Sequence, residues 1–392
     1  MATSRPRPGV HRRPPPRFTF GEGLAAVALS LSIATFAVMA VVWSNPQPSE
    51  ANGRGGGLHV PSVTPQPPTS LPAPVPRSAV KIPPPPQGQI YWGAYVPGVP
   101  FDFTRLDELE QVTGHVPAIM MWYQDWSGPP IFPAATAERF EANGVLPMLT
   151  WQPRHRVGAP MFVTLHDIVA HRYDRYIRRY ARSVRAFGRP VFLRLMHEMD
   201  GTWYPWSGYS RGNTPEEYVA AWRHIHDIFH EEGATNVTWV WSVNHRSVPH
   251  IPENTIDHFW PGSRYVDWVG VSGFNPGPVR VPFRWQSFDH VNRPRYLDLL
   301  EYGKPIMVSE TAAPEVGGDK AAWIARMFRS IAERYPQLAA LIWFDDRDPK
   351  FPNRNDWRVN SSARALGAFR QALDGPRVLS APAGVRLAGL AG

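Results

Sequence analysis

The chain has 392 residues, 43% hydrophobic and 12% aromatic, which is enough for a sizeable core in one large domain or two smaller ones. Its formal charge of +8 argues poorly for a nucleic-acid partner: Arg5, Arg7, Arg12, Arg13 and Arg17 crowd the first twenty residues, and no basic stripe interleaves with aromatics. The absence of cysteine excludes disulfides, thiolate zinc sites and cysteine nucleophiles.

Residues 1–20 are basic and Pro-rich and predict a cytoplasmic tail. Within residues 21–43, Leu24 to Trp43 carries no charge, and about twenty apolar residues in a helix cover the roughly 30 Å hydrocarbon core. This predicts one transmembrane helix that anchors the chain in the cell membrane as a single-pass protein. The upstream arginines stay inside and leave the catalytic bulk extracytoplasmic. A cleavable signal peptide is the competing reading, with Ser49-Glu50-Ala51 offering a cleavage-like spacing. Residues 44–89, including Pro83 to Pro86, are rich in Pro, Gly and Ser and predict a disordered linker.

From Ile90 onward short apolar runs alternate with amphipathic stretches, the pattern of parallel βα units. Predicted strands cover Ile90–Val96, Ala118–Trp122, Leu146–Trp151, Val191–His197, Val237–Val243, Val266–Val271, Ile306–Ser309 and Leu338–Phe344. One helix is predicted from about Leu165 to Phe187, stopping at Gly188. A second opens on a capping box at Thr214-Pro-Glu-Glu and ends near Glu232 before Gly233. A third follows Asp319 and ends before Pro336. Eight units over residues 90–375 fit a (β/α)8 TIM barrel, with residues 376–392 as a tail. A doubly wound sheet fits less well, because no Gly-rich phosphate turn follows the first strand. Most of the 16 tryptophans are read as core.

In such a barrel chemistry sits where strands end. Strand four ends in Arg194-Leu-Met-His197-Glu198-Met-Asp200-Gly-Thr-Trp203-Tyr-Pro-Trp206, and strand seven in Ser309-Glu310-Thr311. Two glutamates therefore leave the barrel at the same face. Strand alternation would place Arg194 beneath Glu198, while Trp203 and Trp206 could desolvate an acid partner. Paired carboxylates in divergent environments are the working parts of glycoside hydrolysis. His197-Glu198 lacks the second histidine of a zincin, and His155, His166 and His171 are scattered, so no metal site is expected.

The segment 194–206 resembles the acid/base segment of glycoside hydrolase family 26, a clan A family of retaining (β/α)8 enzymes that includes β-mannanases. Trp241-Ser-Val-Asn244, Tyr265-Val-Asp-Trp-Val-Gly270, Lys304-Pro-Ile-Met-Val-Ser-Glu310 and Trp343 followed by Asp356-Trp-Arg358 agree in order. The resemblance implies that Glu198 is the general acid/base and Glu310 the nucleophile. It also implies that His197 orients the acid/base and the sugar, and that Trp203 and Trp343 form stacking walls. Three positions depart from the family. Asp200 stands where Asn is usual, Gln152 where His is frequent, and Phe274 in Ser272-Gly273-Phe274 where a Tyr hydroxyl would support the nucleophile. Arg194, Asp200, Phe274, Gln152 and Trp206 join the candidate substrate-binding set. The expected activity is a retaining β-glycanase of the mannan endo-1,4-β-mannosidase type, without metal or cofactor. The alternative is a weakly active barrel that binds or helps process a cell-surface exopolysaccharide.

Overall fold

The computed structural model describes residues 81–155, 163–278, 283–348 and 355–381. The predicted tail at 1–20 and the predicted membrane span at 21–43 lie outside them. Among the described residues no helix is long and apolar enough to cross a membrane.

Eight parallel strands form the barrel: β1 (Ile90–Tyr95), β2 (Ile119–Asp125), β3 (Leu146–Gln152), β4 (Val191–Leu195), β5 (Val237–Asn244), β6 (Trp268–Ser272), β7 (Ile306–Thr311) and β8 (Leu338–Phe344). Each pairs with its neighbour in chain order, and β1 pairs with both β2 and β8, which closes the sheet. A short β9 (Val378–Leu379) pairs with Ile90 and Tyr91, below the stretch of β1 that meets β2. The barrel therefore recruits residues beyond the predicted boundary at 375. The other boundary moves as well. Ile82, assigned to the linker from composition, is buried at the N-terminal mouth, donating its N–H to Thr238 Oγ1 and accepting from the Trp268 indole. A proline-rich segment can be ordered when its few apolar and backbone groups find partners on a preformed surface.

Outside the strands lie α1 (Thr104–Thr113), α2 (Ala134–Ala142), α3 (Leu165–Val169), α4 (Asp174–Phe187), α5 (Pro215–Glu231), α6 (Phe288–Leu299), α7 (Lys320–Arg334) and α8 (Ala363–Leu373). The capping box of α5 is formed: the Thr214 hydroxyl accepts from Glu217 N, and the Glu217 carboxylate accepts from Thr214 N. Asp319 caps α7 by accepting from Ala322 N. The single helix expected over 165–187 is instead two. His171 takes a left-handed backbone (φ 64°), which a right-handed helix cannot pass through, and α4 restarts at Asp174.

Strand alternation divides the side chains cleanly. Trp92, Trp122, Trp151 and Trp343 point outward onto Phe369, Phe140, Tyr180 and Phe369 respectively, and all four are fully buried. Inside, Gly93 leaves the space that Ile342 and Ile119 fill. A Cβ at Gly93 would lie 2.3 Å from Ile342 Cδ1 and 2.9 Å from the Ile119 carbonyl oxygen. Because one of those neighbours is backbone, Gly93→Ala should cost about 2 kcal/mol by overpacking. Thermal unfolding followed by circular dichroism should show a lower midpoint for this variant, and an unchanged midpoint would contradict the packing described.

Candidate active site

Residues of β4 set the site. Arg194 points into the barrel and is fully buried, where a bare guanidinium would cost several kcal/mol. Its partners come from three other strands. Nη1 lies 3.1 Å from Glu310 Oε1, Nη2 lies 3.3 Å from Glu310 Oε2, and Nη2 also donates to the Ser272 hydroxyl at 2.6 Å. Thr150 Oγ1 sits at 3.5 Å from Nη1. The expectation that Arg194 underlies Glu198 is thus corrected: its contact is with Glu310. The reason is that β4 ends at Leu195, and Met196 (φ 42°) and Glu198 (φ 53°) take left-handed backbones, so the alternation does not carry through to Glu198. Such residues cost on the order of 1–3 kcal/mol each and persist only where the surroundings over-determine them. Here Glu198 N donates to Ser242 O at 2.8 Å, Gly201 N to Glu198 O at 3.1 Å, and the Tyr218 hydroxyl to Met196 O at 3.2 Å.

Glu310 enters the barrel by a different device. Val271 pairs with Val308 but Ser272 pairs with Glu310, a bulge that skips Ser309. Ser309 still faces inward, 2.7 Å from the Ser242 hydroxyl, and the extra residue lets Glu310 face inward too.

The two carboxyls occupy different environments. Burial pushes Glu198 upward, while the Arg194 charge, the Trp203 indole and the Ser272 hydroxyl pull it back, and the balance stays on the raised side. The Trp203 N–H donates to Glu198 Oε2 at 2.8 Å. Gly201 makes that possible, since a Cβ there would sit 2.5 Å from the indole. Burial also drives Glu310 upward, well above the usual carboxylate range, and the Arg194 guanidinium lies against it as a counter-charge. Arg194 itself is drawn down by burial to about 10 and keeps its charge at neutral pH.

Several residues predicted to contact substrate are buried. Trp343 faces the helices, one residue out of phase with the inward Phe344, and its N–H donates to Trp357 O. Trp206 is fully buried and donates to His197 O at 2.7 Å, a brace for the β4 exit. Asp200, also fully buried, accepts from Asn244 N and the Ser247 hydroxyl and pairs with Arg295 at 3.3 Å, tying β4, β5 and α6 together. Gln152 is buried and accepts from Arg154 at 2.7 Å. His197 is buried with Nε2 3.0 Å from the Tyr204 hydroxyl, and burial holds the imidazole neutral. Trp203 and Phe274 remain half-buried and accessible, the latter against Phe344 and Trp357. Ser272 was passed over in the sequence although it stands at the end of β6. Its hydroxyl accepts from Arg194 and hydrogen-bonds Glu198. Tyr95, whose ring meets Tyr123 and Phe344 at the C-terminal face, was also missed along with those two.

Comparison with known proteins agrees with this geometry. The model of glycosyl hydrolase family 26 matches residues 168–291. Endoglucanase H of Acetivibrio thermocellus is 37% identical over 284 residues, 72% of this chain and 30% of that protein. The chain contains a glycosyl hydrolase family 26 catalytic domain. Mannan endo-1,4-beta-mannosidase A and B of Caldalkalibacillus mannanilyticus is 27% identical over 43% of this chain and 31% of that protein. The chain thus spans under a third of the length of these relatives. Among solved structures, a modular endo-beta-1,4-mannanase from Cellulomonas fimi superposes with a TM-score of 0.57 at 17% identity, covering 75% of this chain and 73% of that one. The Bacillus subtilis mannanase BCman gives 0.53 at 18%, covering 76% and 88%. At these identities the family 26 likeness to solved structures is one of fold.

Removing the Arg194 charge should expose what it balances. Arg194→Met leaves Glu310 buried without a counter-charge and should destabilise the fold by about 3–5 kcal/mol at neutral pH. With Glu310 raised above its unfolded value, the folded state of the variant binds the extra proton, so its stability is greater at low pH and falls as pH rises. Urea unfolding at pH 5 and pH 8 should show a larger deficit at pH 8. A pH-independent deficit would separate Arg194 from Glu310.

Proposed function

We propose that the family 26 domain is a retaining β-glycanase working by double displacement. The carrying observation is the asymmetry of the pair: the buried guanidinium touches Glu310 and does not touch Glu198. Glu310, in its ionised form with the guanidinium as counter-charge, attacks the anomeric carbon and forms a covalent glycosyl ester. Glu198, displaced toward its protonated form, delivers a proton to the departing glycosidic oxygen. The product leaves, Glu198 is then ionised, and it takes a proton from the water that cleaves the ester. Trp203, whose N–H is fixed on Glu198, offers its half-exposed ring as a platform for the sugar beside the bond being cut.

The substrate class is a β-linked polysaccharide cleaved internally. β-1,4-Mannan is the first candidate, supported by relatives named mannan endo-1,4-beta-mannosidase. A β-glucan is the second, favoured by the 37% identity to a protein named Endoglucanase H. Glu310→Ala should remove turnover of polysaccharide and of activated aryl glycosides alike. Glu198→Ala should lose about 10²–10⁴-fold on polysaccharide yet retain much of its rate of glycosyl-enzyme formation from an aryl glycoside with a good leaving group, which needs no acid. Assays over mannan, glucomannan, mixed-linkage glucan and xylan read both outcomes. Undiminished hydrolysis by the Glu310 variant sinks the assignment.

We further propose that residues 21–43 hold this domain at the outer face of the cell membrane, on the strength of the uncharged run Leu24 to Trp43 behind a basic tail. The full chain should stay with the membrane fraction through a high-salt, alkaline wash. Recovery of the whole chain in the soluble fraction would refute the anchor.

A further inference from the structure

A second constellation lies on the outside of the barrel, in the helical layer. His171 Nδ1 is 3.1 Å from Asp174 Oδ2, and His224 Nε2 is 2.6 Å from Asp174 Oδ1. The two imidazoles meet edge to face with centroids 4.5 Å apart. One ligand atom from each of the three residues lies within 4.8 Å of the others, the only such group among the described residues. His171 belongs to the turn between α3 and α4, Asp174 opens α4, and His224 sits in the middle of α5.

We propose that His171, Asp174 and His224 form a binding site for a late first-row divalent metal, zinc in the first instance, that staples α4 to α5. Two imidazoles and one carboxylate are a donor set suited to zinc, with water completing a tetrahedron. Metal–ligand bonds of about 2.0–2.1 Å imply ligand–ligand edges of roughly 3.3 Å. His171 and His224 approach different oxygens of Asp174, Oδ2 at 3.1 Å and Oδ1 at 2.6 Å, so a carboxylate that binds through one oxygen turns slightly to share it. The edge between the two imidazoles closes by rotation of His171, whose side chain is 69% exposed and free to turn, against the half-buried Asp174 and His224. Neighbouring cations are drawn away from the site: Arg172 pairs with Asp167, and Arg178 with Glu231. The left-handed backbone of His171 accompanies the placement of its ring over α4, and a bound ion would brace that turn. None of this rests on the catalytic reading, since neither glutamate touches the cluster.

The test is zinc titration of the untagged full chain by calorimetry, with thermal unfolding in chelator and in zinc. The wild type should bind one zinc with micromolar affinity and unfold several degrees higher in its presence. His224→Gln keeps a donor for Asp174 and should fold, yet bind zinc roughly tenfold or more weakly and lose the thermal gain. The double variant His171→Ala, His224→Gln should lose the site altogether. Substituted cobalt should give the visible spectrum of a tetrahedral centre in the wild type and not in the double variant. Equal zinc affinity in the wild type and the double variant, or no stabilisation of the wild type, would overturn the proposal. Polysaccharide hydrolysis should be the same in all of these proteins.

Discussion

The architecture of the site depends on one buried cation. Arg194 sits inside the barrel, fully removed from bulk solvent, and must be answered by an anion from another strand. That requirement explains features that otherwise look unrelated. β7 carries a bulge at Ser309, because without the extra residue Glu310 would face the helices and leave the guanidinium unpaired. β6 ends in Ser272, whose hydroxyl takes an Arg194 proton that the carboxylate does not reach as well. β3 contributes Thr150 at the far side. Four strands are thereby registered against a single planar group, and a guanidinium suits that task through its fixed fork of donors.

The same cation differentiates two chemically identical side chains. Glu310 is in contact with it. Glu198 feels its charge across space and takes its hydrogen bond from the Trp203 indole. Both carboxyls are desolvated, and desolvation alone would push both upward together. Contact with Arg194 is what makes their surroundings unlike: Glu310 lies against the guanidinium and Glu198 under the indole. Left-handed residues at 196 and 198 are part of this arrangement. An extended continuation of β4 would put Glu198 directly over Arg194, in competition with Glu310 for the same two nitrogens. Turning the backbone out of register gives Glu198 a different neighbour.

What could be read from the sequence follows from which effects are local. The eight strands, the capping box of α5 and the emergence of both glutamates at one face were legible, because hydrophobic runs and caps depend on neighbours a few residues away. The partner of Arg194 was not legible: a bulge on β7 and left-handed residues after β4 shift the phase of strand alternation, and neither leaves a mark in residue type. Trp343 was misplaced for a related reason. A tryptophan at a strand end suggests a stacking wall, but one step along β8 separates the helix side from the inside, and Phe344 holds the inner position. Asp200 joined the candidate substrate-binding set from its place in the family segment, and its pairing with Arg295 from α6, far along the chain, could not be read there. Ile82 was lost to composition, since a proline-rich stretch hides a buried residue whose backbone pairs with Thr238 and Trp268 at the N-terminal mouth.

The division between the two ends of the barrel sharpens the functional argument. At the N-terminal mouth polar atoms are paired and the opening is closed, by Ile82 on Thr238 and Trp268 and by Lys81 on Asp267. At the C-terminal face the chain spends strain instead: two left-handed residues, a bulge, and a glycine that lets an indole fold over a carboxylate. Strain of this kind lowers stability, and a barrel built only to fold would not accumulate it around two acids and a buried cation. A carbohydrate-binding surface needs exposed rings and hydrogen-bonding groups, but it does not need two buried carboxyls in unlike surroundings, one against a guanidinium and one under an indole. The expense is intelligible for bond cleavage. That is why the asymmetry between Glu198 and Glu310 favours a hydrolase over a barrel that only binds.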